Sequence, residues 1–221
     1  MSDSRGTREK ILDTAERIFA EQGFDACSIR ALTTRAGVNL ASVHYHFGSK
    51  EGLIREVLER RVSPVNEQRL ESLAELDSVE PPPTLETILD AIIRPYLRLS
   101  LDTECGQMTR RLFDRVVSDP GLRPMIGEVY EELGNRMVSV FRRALPELPR
   151  EDLAWRIHLA LGVIDSIGSP DRLIRFCGRL GWVPSADEED ILNRISSFVI
   201  AGMTAPVPRS GSLKAEEAAS P

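Results

Sequence analysis

Apolar residues recur at three- and four-residue spacing along most of this chain, and no stretch alternates with the period of a β-strand. The pattern predicts an all-α protein. Ile11, Ala15, Ile18 and Phe19 form the inner stripe of a first helix with Thr7 as its cap, ended by Gly23, after which Phe24 can fold back on the last turn. Two short helices follow. Ser28 caps one carrying Ile29, Leu32 and Ala36, Gly37 supplies the turn, and Asn39 caps the next, with Leu40, Val43 and Phe47 inward. The other face of that second helix carries Ser42, Tyr45 and His46, side chains with hydrogen-bonding tips and little charge. Ser49 caps a fourth helix, with Lys50 in its first turn and Leu53, Ile54, Val57 and Leu58 inward, running towards Arg61. Pro64 marks its end or a kink, and residues 65–76 form a further helix.

After the extended Pro81, Pro82 and Pro83, Thr84 caps an apolar helix kinked at Pro95. The pattern breaks over residues 103–106. A short stripe of Met108, Leu112, Phe113, Val116 and Val117 then ends at Asp119, Pro120 and Gly121. A long helix is predicted over 124–145, another from Arg150, a shorter one over 171–180, and a last one from Asp187 whose acidic first turn suits the positive end of the helix dipole. Residues 205–221, rich in Pro, Ser, Gly, Ala and Glu, read as a disordered tail. The chain thus divides into a small head over 1–61, a helical body over 62–204 and a tail over 205–221.

Composition changes this picture little, but charge distribution sharpens it. The 221 residues carry a net charge of −6, yet residues 1–62 hold 10 basic and 9 acidic side chains, so the acidity belongs to the body. A near-neutral head is compatible with DNA contact through a local patch. Three widely spaced cysteines, Cys27, Cys105 and Cys177, argue against a disulfide framework or a metal site and fit a reducing cytoplasm. No apolar run approaches the ~18 residues of a membrane span, and no signal-peptide pattern opens the chain.

The string over residues 28–50, SIRALTTRAGVNLASVHYHFGSK, together with Glu51, Gly52 and Leu53, resembles the TetR family of bacterial one-component transcriptional regulators. Ala36, Gly37, Val38, Val43, His46, Phe47, Lys50 and Leu53 fit that family's pattern. Asn39 replaces the usual serine cap, Ala31 and Leu32 replace an Ile-Ala pair, and His44 stands where tyrosine is common. The resemblance implies a helix-turn-helix that reads a major groove. Ser42, Tyr45 and His46 would present the reading face, with His44 on its shoulder by the family match. Ser28, Arg30 and Lys50 would set the head on phosphates of double-stranded operator DNA, with Asn39 capping the reading helix. It also implies a homodimer: the helices from Arg150 and Asp187 are apolar over more than one stripe, and Ala160, Gly162, Ala201 and Gly202 permit close approach.

Residues 142–162 look like the PsrA-type branch, whose members respond to fatty acids or their CoA thioesters. By that resemblance an apolar tunnel lies among the body helices, lined by Tyr96, Met108, Phe113, Met137 and His158, with Arg98, Arg110 and Arg111 as candidates for its mouth. No cofactor, metal or catalytic constellation is indicated: His44 and His46 diverge on one helix, and neither a phosphate loop nor a G-x-S-x-G motif is present. The competing reading is a helical ligand-binding or protein-interaction module that does not bind DNA.

Overall fold

A computed structural model describes residues 4–24, 27–101, 105–166, 170–183 and 187–207. The expected tail beyond 207, the break over 103–104 and Pro184 lie outside these residues, as do the side chains of Arg110 and Val117. All regular structure among the described residues is helical: α1 (Ser4–Gln22), α2 (Ile29–Ala36), α3 (Leu40–Phe47), α4 (Lys50–Ser78), α5 (Leu85–Leu101), α6 (Cys105–Ser118), α7 (Arg123–Ala144), α8 (Arg150–Asp165), α9 (Pro170–Arg179) and α10 (Glu188–Thr204).

Local chemistry explains most boundaries. Thr84 Oγ1 accepts from the Thr87 amide and Asp187 Oδ1 from the Asp190 amide, so α5 and α10 begin at the expected caps. At the end of α1, Gly23 takes φ +88° and Phe24 folds back to place its ring 5.1 Å from Phe19. The start of α1 differs from expectation. It begins at Ser4, so Thr7 lies inside the helix rather than capping it.

The larger difference is α4. Pro64 neither ends it nor separates it from a second helix; one helix of 29 residues runs through. A proline inside a helix costs ~3 kcal/mol through the lost amide bond and the clash with the carbonyl four residues earlier. The cost is offset because Val57, Leu58, Val62, Asn66, Arg69 and Leu73 stay on one buried face across Pro64, which itself points to solvent. Pro95 is likewise accommodated within α5.

Two apolar cores sit along α4. The first joins α1, α2, α3 and the start of α4 with Leu112 and Val116 of α6, Leu122 just before α7 and Met125 within it. The second joins Leu73 with the inner faces of α5, α7, α8 and α10, and Tyr130 packs against both. Polar contacts fix α4 between them. Arg61 and the buried Glu16 pair across to α1, Arg55 reaches Glu128 of α7, and Arg136 bonds Asp77 at 3.1 Å. Arg143 of α7 donates to the carbonyls of Leu76, Asp77 and Val79 and so caps the C-terminal end of α4. On α6, Arg115 donates to the carbonyls of Ala20 and Glu21 at the end of α1. The helix that begins at the turn after α3 therefore ends against α7 of the body.

Candidate nucleic-acid interface

Residues 28–50 fold as the spacing predicts. Ser28 Oγ accepts from the Ala31 amide at 3.1 Å and caps α2. At the other end Gly37 adopts φ 66°, ψ 36°, and the amides of Gly37 and Val38 donate to the carbonyls of Thr34 and Thr33. This left-handed turn redirects the chain within two residues into α3. A Cβ at Gly37 would meet nothing within 4 Å, so the glycine is required for its dihedral angles alone. Gly37→Ala is expected to lower stability by about 1–2 kcal/mol, the cost of a left-handed L-residue, measurable by urea denaturation.

Asn39 Oδ1 accepts from the Ala41 amide at 3.0 Å and caps α3; Ser49 Oγ accepts from the Gly52 amide and caps α4. Val43 and Phe47 are buried against α1 and α4 and fix the rotation of α3. That rotation determines what faces outward. Tyr45 is 81% exposed, with no tertiary packing to account for a large ring at that position. Its ring meets His46 edge-on at 5.0 Å, and His46 leans on Phe47 at 6.0 Å, so the exposed ring rests on a supported stack. Ser42, one turn before His46, is half-buried on the same side. His44 is exposed and its Nδ1 lies 3.1 Å from the carbonyl of Gly48. A carbonyl only accepts, so Nδ1 carries a proton and donates it to Gly48, which holds the ring against the end of α3.

The basic side chains of the head fall into two groups. Arg8, Arg35, Arg55, Arg60 and Arg61 are engaged with Glu56, Glu21, Glu128, Asp13 and Glu16 respectively. Arg30, Lys50, Arg5, Lys10 and Arg17 make no ion pair among the described residues, Arg17 donating instead to the Asp13 carbonyl. Arg30 is exposed at the start of α2 and Lys50 half-buried at the start of α4, on either side of α3 in the sequence. Cations without acidic partners beside an exposed, hydrogen-bonding helix face suit a phosphate backbone and the groove between its strands.

In the body, the five expected tunnel residues separate. Tyr96 and Phe113 are half-buried; Phe113 meets Tyr130 edge-on at 6.2 Å, and Tyr96 lies beneath the Arg69 guanidinium at 5.2 Å. Met137 is buried in the second core. Met108 instead packs on the first core, its sulfur 3.3 Å from Arg61. His158 points away from the interior, exposed beside Trp155 at 6.4 Å, because Leu153, Ile157 and Ala160 take the inner face of α8. Arg98 is engaged with Glu188 of α10 at 3.0 Å, and Arg111 is exposed. Two polar residues at core positions of α4, Asn66 and Arg69, were missed. Their spacing, 62, 66, 69, 73, continues the stripe between Val62 and Leu73, but as polar residue types they read as solvent-facing.

No group of three or more metal-ligating side chains occurs among the described residues, and none of their helices is long and apolar enough to cross a membrane.

An all-helical chain whose N-terminal helix-turn-helix is rooted in a long helix shared with a second bundle defines a regulator-type architecture. Residues 11–57 match the family model for bacterial regulatory proteins of the tetR family, and residues 90–202 match that for the tetracyclin repressor-like C-terminal domain. The chain belongs to the TetR family. Its members are transcriptional regulators, not enzymes.

Among curated relatives, the transcriptional repressor KstR2 of Rhodococcus jostii is 39% identical over 57 residues, 26% of this chain and 28% of that protein. The repressor NicS of Pseudomonas putida is 34% identical over 92 residues, 42% of each. The matched stretches thus span less than half the length of these relatives. Over the whole fold, the Bacillus subtilis regulator FadR, solved with stearoyl-CoA, superposes with TM-score 0.64 at 17% identity, covering 88% of this chain and 98% of that one.

Proposed function

We propose that the chain is a repressor that binds a palindromic operator as a homodimer and releases it on binding a small, largely apolar effector. Residues 1–61 act as the DNA-binding head and 62–204 as the effector-binding and dimerisation body, with the protein at work in the cytoplasm. The observation that carries the DNA half is the side chain of Tyr45, fully presented on a helix whose other face is locked into the core. Tyr45, His46 and Ser42 read base edges, His44 adds a contact from their shoulder, and Ser28, Asn39, Arg30 and Lys50 hold the ends of α2, α3 and α4 against phosphates.

Trp155, Leu159 and Gly162 of α8, and Phe198, Ala201 and Gly202 of α10, form exposed stripes that a single copy leaves open. Added Cβ atoms at Gly162 and Gly202 would enter open space. Both features support a four-helix interface between two copies, which would set two heads at operator spacing. The acyl reading of the effector is supported by the resemblance of residues 142–162 to the PsrA-type branch and by the likeness in fold to a stearoyl-CoA-bound regulator. An effector that prefers one arrangement of α4 shifts the heads in proportion to that preference.

The test is an anisotropy titration against DNA upstream of the protein's own gene, beside a scrambled duplex, at two salt concentrations. Selective, salt-sensitive binding is expected. Equal affinity for both duplexes, followed by failure of a genome-wide operator search, would move the protein-interaction reading ahead. In the same assay Tyr45→Ala is expected to weaken operator binding by about 1–3 kcal/mol, the scale of one good base contact, with α3 still folded. Unchanged affinity would remove Tyr45 from the reading face.

A further inference from the structure

Arg69 is a guanidinium in a place where charge is unfavourable: 6% exposed, on the face of α4 that packs into the body. Its Nε donates to the carbonyl of Ile92 at 2.8 Å, one turn before Tyr96 on α5, and its guanidinium lies over the Tyr96 ring. These contacts fix its orientation. Its two terminal nitrogens have no hydrogen bond or ion pair among the described residues. One turn earlier on the same face, Asn66 is 7% exposed and its Oδ1 is buried without a partner. Tyr130 of α7 lies in electrostatic range of the guanidinium; burial pushes its phenol up to about 12, so it remains a neutral O–H. Asp165, the solvent-exposed last residue of α8, lies in electrostatic range of Arg69; desolvation pushes its carboxyl up, Arg69 pulls it down, and no ion pair joins the two.

An oriented, desolvated guanidinium with its terminal edge unused, beside an orphan amide oxygen, matches one kind of ligand. We propose that Arg69 and Asn66 form an acid-recognition point, and that the effector is an apolar molecule bearing a free carboxylate. The carboxylate accepts two parallel hydrogen bonds from the terminal nitrogens of Arg69. Asn66 Oδ1 accepts from a hydroxyl or N–H next to that carboxylate, and the rings of Tyr96, Tyr130 and Phe113 receive the apolar part. A plain alkyl chain would leave the guanidinium as unpaired as it is now, and a thioester offers one neutral carbonyl in place of a charged, two-oxygen acceptor. The inference rests on the effector half of the proposed function and narrows it, favouring a free acid over its CoA thioester. It also supplies the route to the DNA: the residue that grips the ligand stands on α4, whose first turn packs against α3.

The test is a calorimetric titration of the full-length protein with octanoate, phenylacetate and benzoate, each beside the alcohol of the same carbon skeleton, and with octanoyl-CoA. At least one acid is expected to bind at least tenfold more tightly than its alcohol and than the thioester. Arg69→Met is expected to weaken that acid at least tenfold and bring acid and alcohol level, while Arg69→Lys restores part of the difference. Should Arg69→Met lose its cooperative thermal transition, Asn66→Leu, which keeps the charge, is expected to weaken the acid alone. Acid and alcohol binding alike to the native protein, no acid binding at millimolar concentration, or native acid affinity in either folded variant would overturn the proposal. Operator binding is measured on the same preparation without ligand: its loss alongside intact acid selectivity would count against the regulator and leave the Arg69 site standing.

Discussion

Phe198→Asp is expected to convert the protein from dimer to monomer and to lower its operator affinity by about two orders of magnitude or more. Phe198 is 68% exposed in the single chain, so nothing in the monomer fold depends on it. In the proposed interface the new carboxylate would be desolvated in each subunit, at an effective cost of several kcal/mol per ion, and about 1.4 kcal/mol is tenfold in an equilibrium. The loss of DNA affinity follows from geometry, because two tethered heads bind a palindrome with an effective concentration that a free head lacks. Sedimentation equilibrium checks the first half and anisotropy the second. A Phe198→Asp protein that stays dimeric would show that α8 and α10 do not form the interface. A monomer that keeps full operator affinity would show that one head is sufficient.

Arg61→Met should destabilise the protein by about 2–3 kcal/mol, somewhat below the 3–5 kcal/mol typical of breaking a buried ion pair. Glu16 is 3% exposed within the first core and pairs with Arg61 across α1 and α4. Removing the arginine strands a buried carboxylate. The loss is tempered because Arg60 lies 3.5 Å from the same carboxylate and retains part of the compensation. The double variant Glu16→Leu/Arg61→Met, which removes both charges, should recover most of the loss, since an apolar pair of similar volume often replaces a buried ion pair at little cost. Urea denaturation of the three proteins measures the coupling. A double variant as unstable as Arg61→Met would mean that the destabilisation comes from lost packing around Met108 rather than from the stranded charge.

Much of the head was legible in the chain because its determinants are local. Ser28, Asn39 and Ser49 cap helices through backbone amides two or three residues away, and Gly37 takes positive φ where the turn demands it. The apolar positions Leu32, Val43, Phe47 and Leu53 recur at helical spacing and meet in one core. Pro64 was ambiguous because a proline's local cost is visible in sequence, whereas the burial that offsets it depends on helices far along the chain. The start of α1 also departs from its expected cap: the helix begins at Ser4 and Thr7 lies inside it.

The body shows where periodicity runs out. Tyr96, Met108, Phe113, Met137 and His158 all recur at helical spacing, and spacing cannot tell which apolar neighbour a face will meet. In the fold Met108 joins the first core, Met137 the second, and His158 faces outward because Ile157 and Ala160 take the inner side of α8. The same limit hid Arg69: as a residue type it reads as surface charge, and only the approach of α5 and α7 to α4 buries it.

Helix content, caps, the helix-turn-helix and its outward face were thus written in the amino-acid order, since each rests on contacts within a few residues of the chain. The continuity of α4, the engagement of Arg61 with Glu16 and the burial of Arg69 and Asn66 were decided by tertiary structure alone. They arise from groups 20 to 50 positions apart, whose meeting depends on how whole helices pack.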